Sequence, residues 1–173
     1  MILNRKLSTV FLITMVLFVF VIGTAQTNKD GHEIETSHEN ASGEAGIFET
    51  VVSGLFFYTP EHDNVDLATE IHVTYWVTHT WAFGVGYTLI FEEENRIGHE
   101  LAALTSTKPW PFLTVNFGPS FTLPNSEEDF AVSGYVEGEF NITIGKLHGG
   151  PVIGTLVGEE FTLFGGLHLA HEF

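Results

Sequence analysis

From Gly46 to its last residue the chain alternates apolar and polar side chains at nearly every position, in segments of about ten residues. Period two is the side-chain period of an extended strand, so a chain patterned this way must bury one face by pairing strands. The pattern is clearest from Phe112 to Leu123, where Leu113, Val115, Phe117, Phe121 and Leu123 share one parity and Thr114, Asn116, Gly118, Ser120 and Thr122 share the other. Phe130 to Ile144 repeats it, with Val132, Val136, Phe140 and Ile142 opposed to Ser133, Tyr135, Glu137 and Glu139. Trp81 to Glu92 does the same.

Ile47 to Thr59, Leu67 to Val77, His99 to Thr107, Val152 to Gly158 and Phe161 to Phe173 complete a set of eight strands. Short clusters of Pro, Gly, Asn, Glu or Lys separate them. Short links between consecutive strands imply an up-and-down meander, and an even number of antiparallel strands can close with no free edge. The expected fold is therefore all-β: an eight-stranded antiparallel up-and-down barrel.

Ahead of the alternating region lie two segments of different texture. Arg5 and Lys6, the apolar run from Val10 to Ile22, and Gly23-Thr24-Ala25 have the order of a secretory signal peptide, with cleavage after Ala25. The run is short of the roughly 20 apolar residues that a spanning helix needs. Residues 26–45 are polar and acidic and are expected to form a disordered tail, leaving residues 46–173 as the barrel domain. Cysteine is absent, which excludes disulfides, thiolate metal sites and lipoprotein acylation. Loss of Arg5 and Lys6 leaves four bases against 22 acids, so nucleic acid is excluded as a partner.

The two polarities could be arranged either way round. A soluble barrel needs a charged outer face, yet the polar parity here is rich in Gly, Ala, Ser, Thr and Asn, with no Lys or Arg inside the expected strands. Small polar residues fit a narrow lumen, which places the apolar parity against lipid and makes the barrel a transmembrane one. Trp76, Trp81 and Trp110 flank links, as an interfacial girdle would. Alternate links of a meander lie at opposite rims. Every odd link is acidic (Glu61, Asp63 and Asp66; Glu92, Glu93 and Glu94; Glu127, Glu128 and Asp129; Glu159 and Glu160), whereas the even links hold no acid. The odd links are expected at the cell surface and the tail in the periplasm. The competing arrangement is a soluble periplasmic lipocalin-like barrel that binds an apolar ligand inside.

The final strand, Phe161-Thr-Leu-Phe-Gly-Gly-Leu-His-Leu-Ala-His-Glu-Phe173, resembles that of small outer-membrane β-barrel proteins of Gram-negative bacteria, more narrowly the short-loop barrels common in Bacteroidetes. Leu163, Leu167, Leu169 and Phe173 keep the alternate apolar positions and the C-terminal aromatic of that group, while His171 stands where an aromatic is usual. The resemblance implies an outer-membrane location, outer-membrane lipid as surroundings and the barrel-assembly machinery as a partner. It carries no particular activity.

On the lumen parity fall Glu49, Glu70, His72, Asn116, Glu137, Glu139, His168 and Glu172. Carboxylates there must be hydrated, protonated or bound to a cation, so Glu70, His72, Glu137, Glu139 and His168 are the lumen cation candidates. In the tail, His32, Glu35 and His38, beside Glu33 and Glu39, offer imidazole and carboxylate donors for a divalent metal. No cofactor is expected beyond such a divalent cation. Ser53, His72 and Glu70 supply the residue types of a catalytic triad, but no motif joins them, and an enzyme is not expected. The remaining roles are structural, or the binding or permeation of small cations.

Overall fold

The structure is a computed structural model that describes residues 45–92, 96–125 and 129–173. The signal segment, the tail candidates His32, Glu35 and His38, and the link acids Glu93, Glu94, Glu127 and Glu128 lie outside the described residues.

Nine strand segments follow one another: β1 (Ile47–Thr59), β2 (Asn64–Trp76), β3 (Trp81–Phe91), β4 (Ile97–Trp110), β5 (Leu113–Thr122), β6 (Ala131–Phe140), β7 (Ile142–Ile144), β8 (Leu147–Val157) and β9 (Phe161–Glu172). β6 and β7 both pair with β8 and are separated only by Asn141, so they act as one strand with a local irregularity. Each strand pairs antiparallel with its successor, and β9 returns to pair with β1 from Glu49↔Glu172 to Tyr58↔Leu163. The result is a closed eight-stranded barrel, and closure leaves no strand edge with unpaired backbone groups.

Strand ends depart from the sequence expectation where Gly and Pro interrupt the pattern. β4 runs on through Lys108 to Trp110 with a register shift after Thr107, and β8 begins at Leu147 instead of Val152. The hairpin between β7 and β8 is a two-residue loop, Gly145-Lys146, tight because Gly145 adopts a φ of 65° that side-chain-bearing residues avoid. Gly150 is needed inside β8 for a different reason: a Cβ there would collide with the carbonyl oxygen of Phe140 on the neighbouring strand.

The apolar parity faces outward. Phe48, Val52, Phe56, Ile71, Val73, Phe83, Val85, Leu101, Val132, Val136, Ile153 and Leu167 are all exposed, Val85 at 58% and Leu167 at 67%. No Asp, Glu, Lys or Arg projects from this outer face of the described strands. Trp81 and Trp110 stand exposed at the end of the barrel that carries the even links. Trp76 does not join them; it is fully buried on the lumen parity, with the ammonium of Lys108 4.1 Å from its ring centroid.

The interior is filled in two layers. Towards the odd links, Leu55, Phe57, Leu104, Tyr135, Leu156 and Phe164 make an apolar cluster. Phe164 stacks against Phe57 at a centroid distance of 5.1 Å and against Tyr135 at 5.5 Å, so three rings occupy the cross-section. The middle and the even-link half hold most of the buried polar side chains, described below, while Thr88, Glu100 and Ser120 are buried nearer the odd links. Eight strands enclose only about the space their own side chains fill, which is why the two layers leave little else inside.

Candidate functional site

Glu49, Glu70, His72, Asn116, Glu137, Glu139, His148 and His168 project into the lumen from β1, β2, β5, β6, β8 and β9, and all are buried. Alternation turns these side chains inward, and the stagger of the strands around the barrel brings them to one polar region. His72 is its hub: Nδ1 lies 3.0 Å from Glu70 Oε1 and Nε2 lies 3.2 Å from Glu139 Oε1. Glu70 also accepts from Thr88 Oγ1 at 3.0 Å and from the Tyr135 hydroxyl at 3.2 Å. Asn116 Nδ2 donates to Glu137 Oε1 at 2.9 Å and to Glu139 Oε1 at 3.1 Å, tying the two carboxylates together.

One cation enters this layer that the sequence reading did not place there. Lys108, assigned to a link, extends β4 inward, and its Nζ lies 3.4 Å from Glu49 Oε2 and 3.5 Å from Glu172 Oε1. The expectation of strands free of Lys and Arg is therefore corrected at this position. Its parity, shared with Leu104 and Ser106, was the available signal; the Pro109 and Pro111 that follow masked it.

His148 is the other residue missed. The Gly149-Gly150-Pro151 run reads as a turn, yet β8 is already formed there, and His148 occupies the lumen parity with Val152 and Leu156. Its Nε2 lies 3.7 Å from Glu49 Oε2, beyond hydrogen-bond reach, and its ring meets that of His168 edge-on with centroids 6.0 Å apart.

Five lumen candidates from the sequence, Glu70, His72, Glu137, Glu139 and His168, are brought within this one layer. Three groupings have donor atoms within 4.8 Å of one another: Glu139 with His148 and His168, Glu49 with His148 and Glu172, and Glu70 with His72 and Glu137. The triad of Ser53, His72 and Glu70 is not assembled. Both His72 nitrogens face carboxylates, and Ser53 Oγ has no hydrogen-bond partner. At the odd end, by contrast, charged side chains pair in the open: His62 Nε2 lies 2.9 Å from Glu160 Oε1, and Arg96 Nε lies 3.5 Å from Glu92 Oε2.

No protein-family model and no curated protein sequence matches the chain. Among solved structures, the crystal structure of the N-terminal β-barrel domain of Pseudomonas aeruginosa OprF superposes with a TM-score of 0.61 at 10% identity, covering 76% of this chain and 100% of that one. A de novo designed transmembrane β-barrel superposes with a TM-score of 0.53 at 13% identity, covering 76% of this chain and 99% of that one. At these identities the likeness establishes the fold, a closed eight-stranded antiparallel barrel of the kind found in transmembrane barrels, and nothing about activity.

Proposed function

We propose that the protein is an outer-membrane β-barrel with a structural role, sealed against permeation and without catalytic activity. The observation that carries this reading is the outer face: an exposed belt of Phe, Val, Leu and Ile from which no Asp, Glu, Lys or Arg of the described strands projects. Water would make such a surface an aggregation liability, whereas hydrocarbon solvates it. A lipocalin-like soluble barrel requires the reverse, a polar outside and an apolar cavity, and here the interior holds carboxylates, histidines and a packed aromatic cluster.

Orientation follows from the links. Transmembrane barrels keep short turns on the periplasmic side and longer loops outside. The even links span residues 77–80, 111–112 and 145–146, and the odd ones 60–63, 92–96, 123–130 and 158–160. The two longest links, 92–96 and 123–130, are both odd, which supports an acidic rim at the cell surface, with both chain ends of the barrel and the even links in the periplasm.

Fractionation of cells expressing the full chain tests the reading. The protein is expected in the outer-membrane fraction, migrating as a compact band in unheated detergent gels and more slowly after boiling. Recovery in the soluble fraction after lysis would overturn it.

A further inference from the structure

We propose that Glu139, His148 and His168 form a buried site for a divalent transition metal of the zinc type. The three come from adjacent strands, β6, β8 and β9, and their donor atoms lie within 4.8 Å of one another in a layer where each residue is at most 5% exposed. Gly150 makes room for them. It pairs directly with His168 in the β8–β9 ladder and lies two residues from Val152, the partner of Glu139, so no side chain stands on β8 between the carboxylate and the ring.

The independent observation is what the donor atoms lack. Glu139 Oε2, His148 Nε2 and His168 Nδ1 are buried, and none has a hydrogen-bond partner. Orphaned buried polar atoms are costly, and of the nine found among the described residues these three belong to side chains whose donor atoms lie within 4.8 Å of one another, which asks for a shared partner. Glu139 and His168 also have neighbours that hold them. Glu139 commits Oε1 to His72 and Asn116, which leaves Oε2 uncommitted. For His168 that neighbour is Asn141. Its Nδ2 donates to Thr114 Oγ1 at 2.8 Å, and its Oδ1 lies 3.1 Å from His168 Nε2, placed to accept a hydrogen bond from it. With its proton on Nε2, the ring presents a lone pair at Nδ1. That arrangement, a ligating imidazole held by a hydrogen bond from its other nitrogen, is the usual support of a metal-bound histidine.

The two other groupings are more fully engaged from within, although Glu137 Oε2 is also without a partner. The carboxylates of Glu49 and Glu172 share the Lys108 ammonium. In the Glu70, His72 and Glu137 group both ring nitrogens of His72 contact carboxylates, so the imidazole has no lone pair to offer.

Two imidazoles and one carboxylate are a borderline donor set suited to zinc, with a fourth position left for water. Calcium, which takes six to eight oxygens, is a poor match. Tetrahedral zinc at ligand distances of about 2.1 Å sets donors roughly 3.4 Å apart, so the side chains must close on the ion by about 1 Å. The site belongs to the lumen and does not depend on where the barrel resides.

The test uses the full chain, folded in detergent, stripped with a chelator and titrated with zinc chloride, and with cobalt chloride as a coloured probe. One metal per folded chain is expected, with the visible absorption of four-coordinate cobalt. His148→Ala and His168→Gln should each abolish stoichiometric binding while the compact unheated band persists. Asn141→Ala should weaken binding about 10–100-fold, the usual effect of removing an orienting partner. His32→Ala with His38→Ala should leave it unchanged. A folded wild-type chain that binds neither ion would overturn the site while leaving the barrel reading intact. So would binding lost in the tail variant but retained in the lumen variants. If a lumen variant does not fold, the wild-type cobalt spectrum and the Asn141 variant decide.

Discussion

His62 and His168 are both histidines beside polar partners, yet burial gives them different chemistry. His62 is solvent-exposed in the first link, and its hydrogen bond to the Glu160 carboxylate, reinforced by the charge of Glu160, raises its pKa above 6.5. A group whose folded pKa is raised stabilises the fold fully below its unfolded value, and that contribution disappears as pH rises through the raised one. The link between β8 and β9 should therefore be held to the first link more firmly at pH 5.5 than at pH 8.5. Ring titration by NMR checks this: Glu160→Gln should return His62 to near 6.5, and an unchanged titration would refute the pairing. His168 is enclosed, and its partners are chosen by geometry, with Asn141 on one nitrogen and the Gly150 backbone beside the ring. Parity alone placed His168, Glu139 and Glu137 inside. It did not place His148 or Lys108, because Gly-Gly-Pro and Pro-Trp-Pro carry turn chemistry that the closed sheet overrides with ladder pairing.

At the scale of a strand, alternation assigns each residue to lipid or lumen, and the cost of an error depends on depth. Val85 lies within β3, paired with Val73 and Ala103, on the outward face. Val85→Arg should destabilise the barrel by about 2–4 kcal/mol in lipid bilayers, the cost of a cation near the bilayer midplane. Ile144, the most exposed apolar side chain of the short β7 at the even rim, is the comparison. Ile144→Arg should cost about 0–1 kcal/mol, because a rim position reaches the interface. Reversible unfolding in liposomes by denaturant measures both. Equal penalties at the two positions would contradict a bilayer spanning the strands. The segment β6–β7 shows what alternation does not reveal: Asn141 interrupts the regular ladder, retains a backbone hydrogen bond to the Phe112 carbonyl, and turns its amide inward to Thr114 and His168.

Across the whole barrel, the two interior layers decide what can pass. The stacked rings of Phe57, Phe164 and Tyr135 fill the odd half, while Lys108 with Glu49 and Glu172 bridges the even end. Planar-bilayer recordings of the wild-type protein should show no unitary conductance. The triple variant Phe57→Ala, Tyr135→Ala, Phe164→Ala, which removes the aromatic layer, should conduct if it retains the compact unheated band. Steady conductance in the wild type would show that the layers do not seal.

The alternating pattern by itself determined strand number, meander order and the inward or outward sense of most side chains, because each is a local consequence of a period-two backbone joined by short links. It also gathered acids on alternate links. Tertiary structure decided where strands begin and end around glycine and proline, that Trp76 turns inward, that Lys108 reaches Glu49 and Glu172, and that Glu139, His148 and His168 converge. These depend on strand stagger and on β1 meeting β9. Stagger is a property of closure, set jointly by all eight strands, and no single segment encodes it.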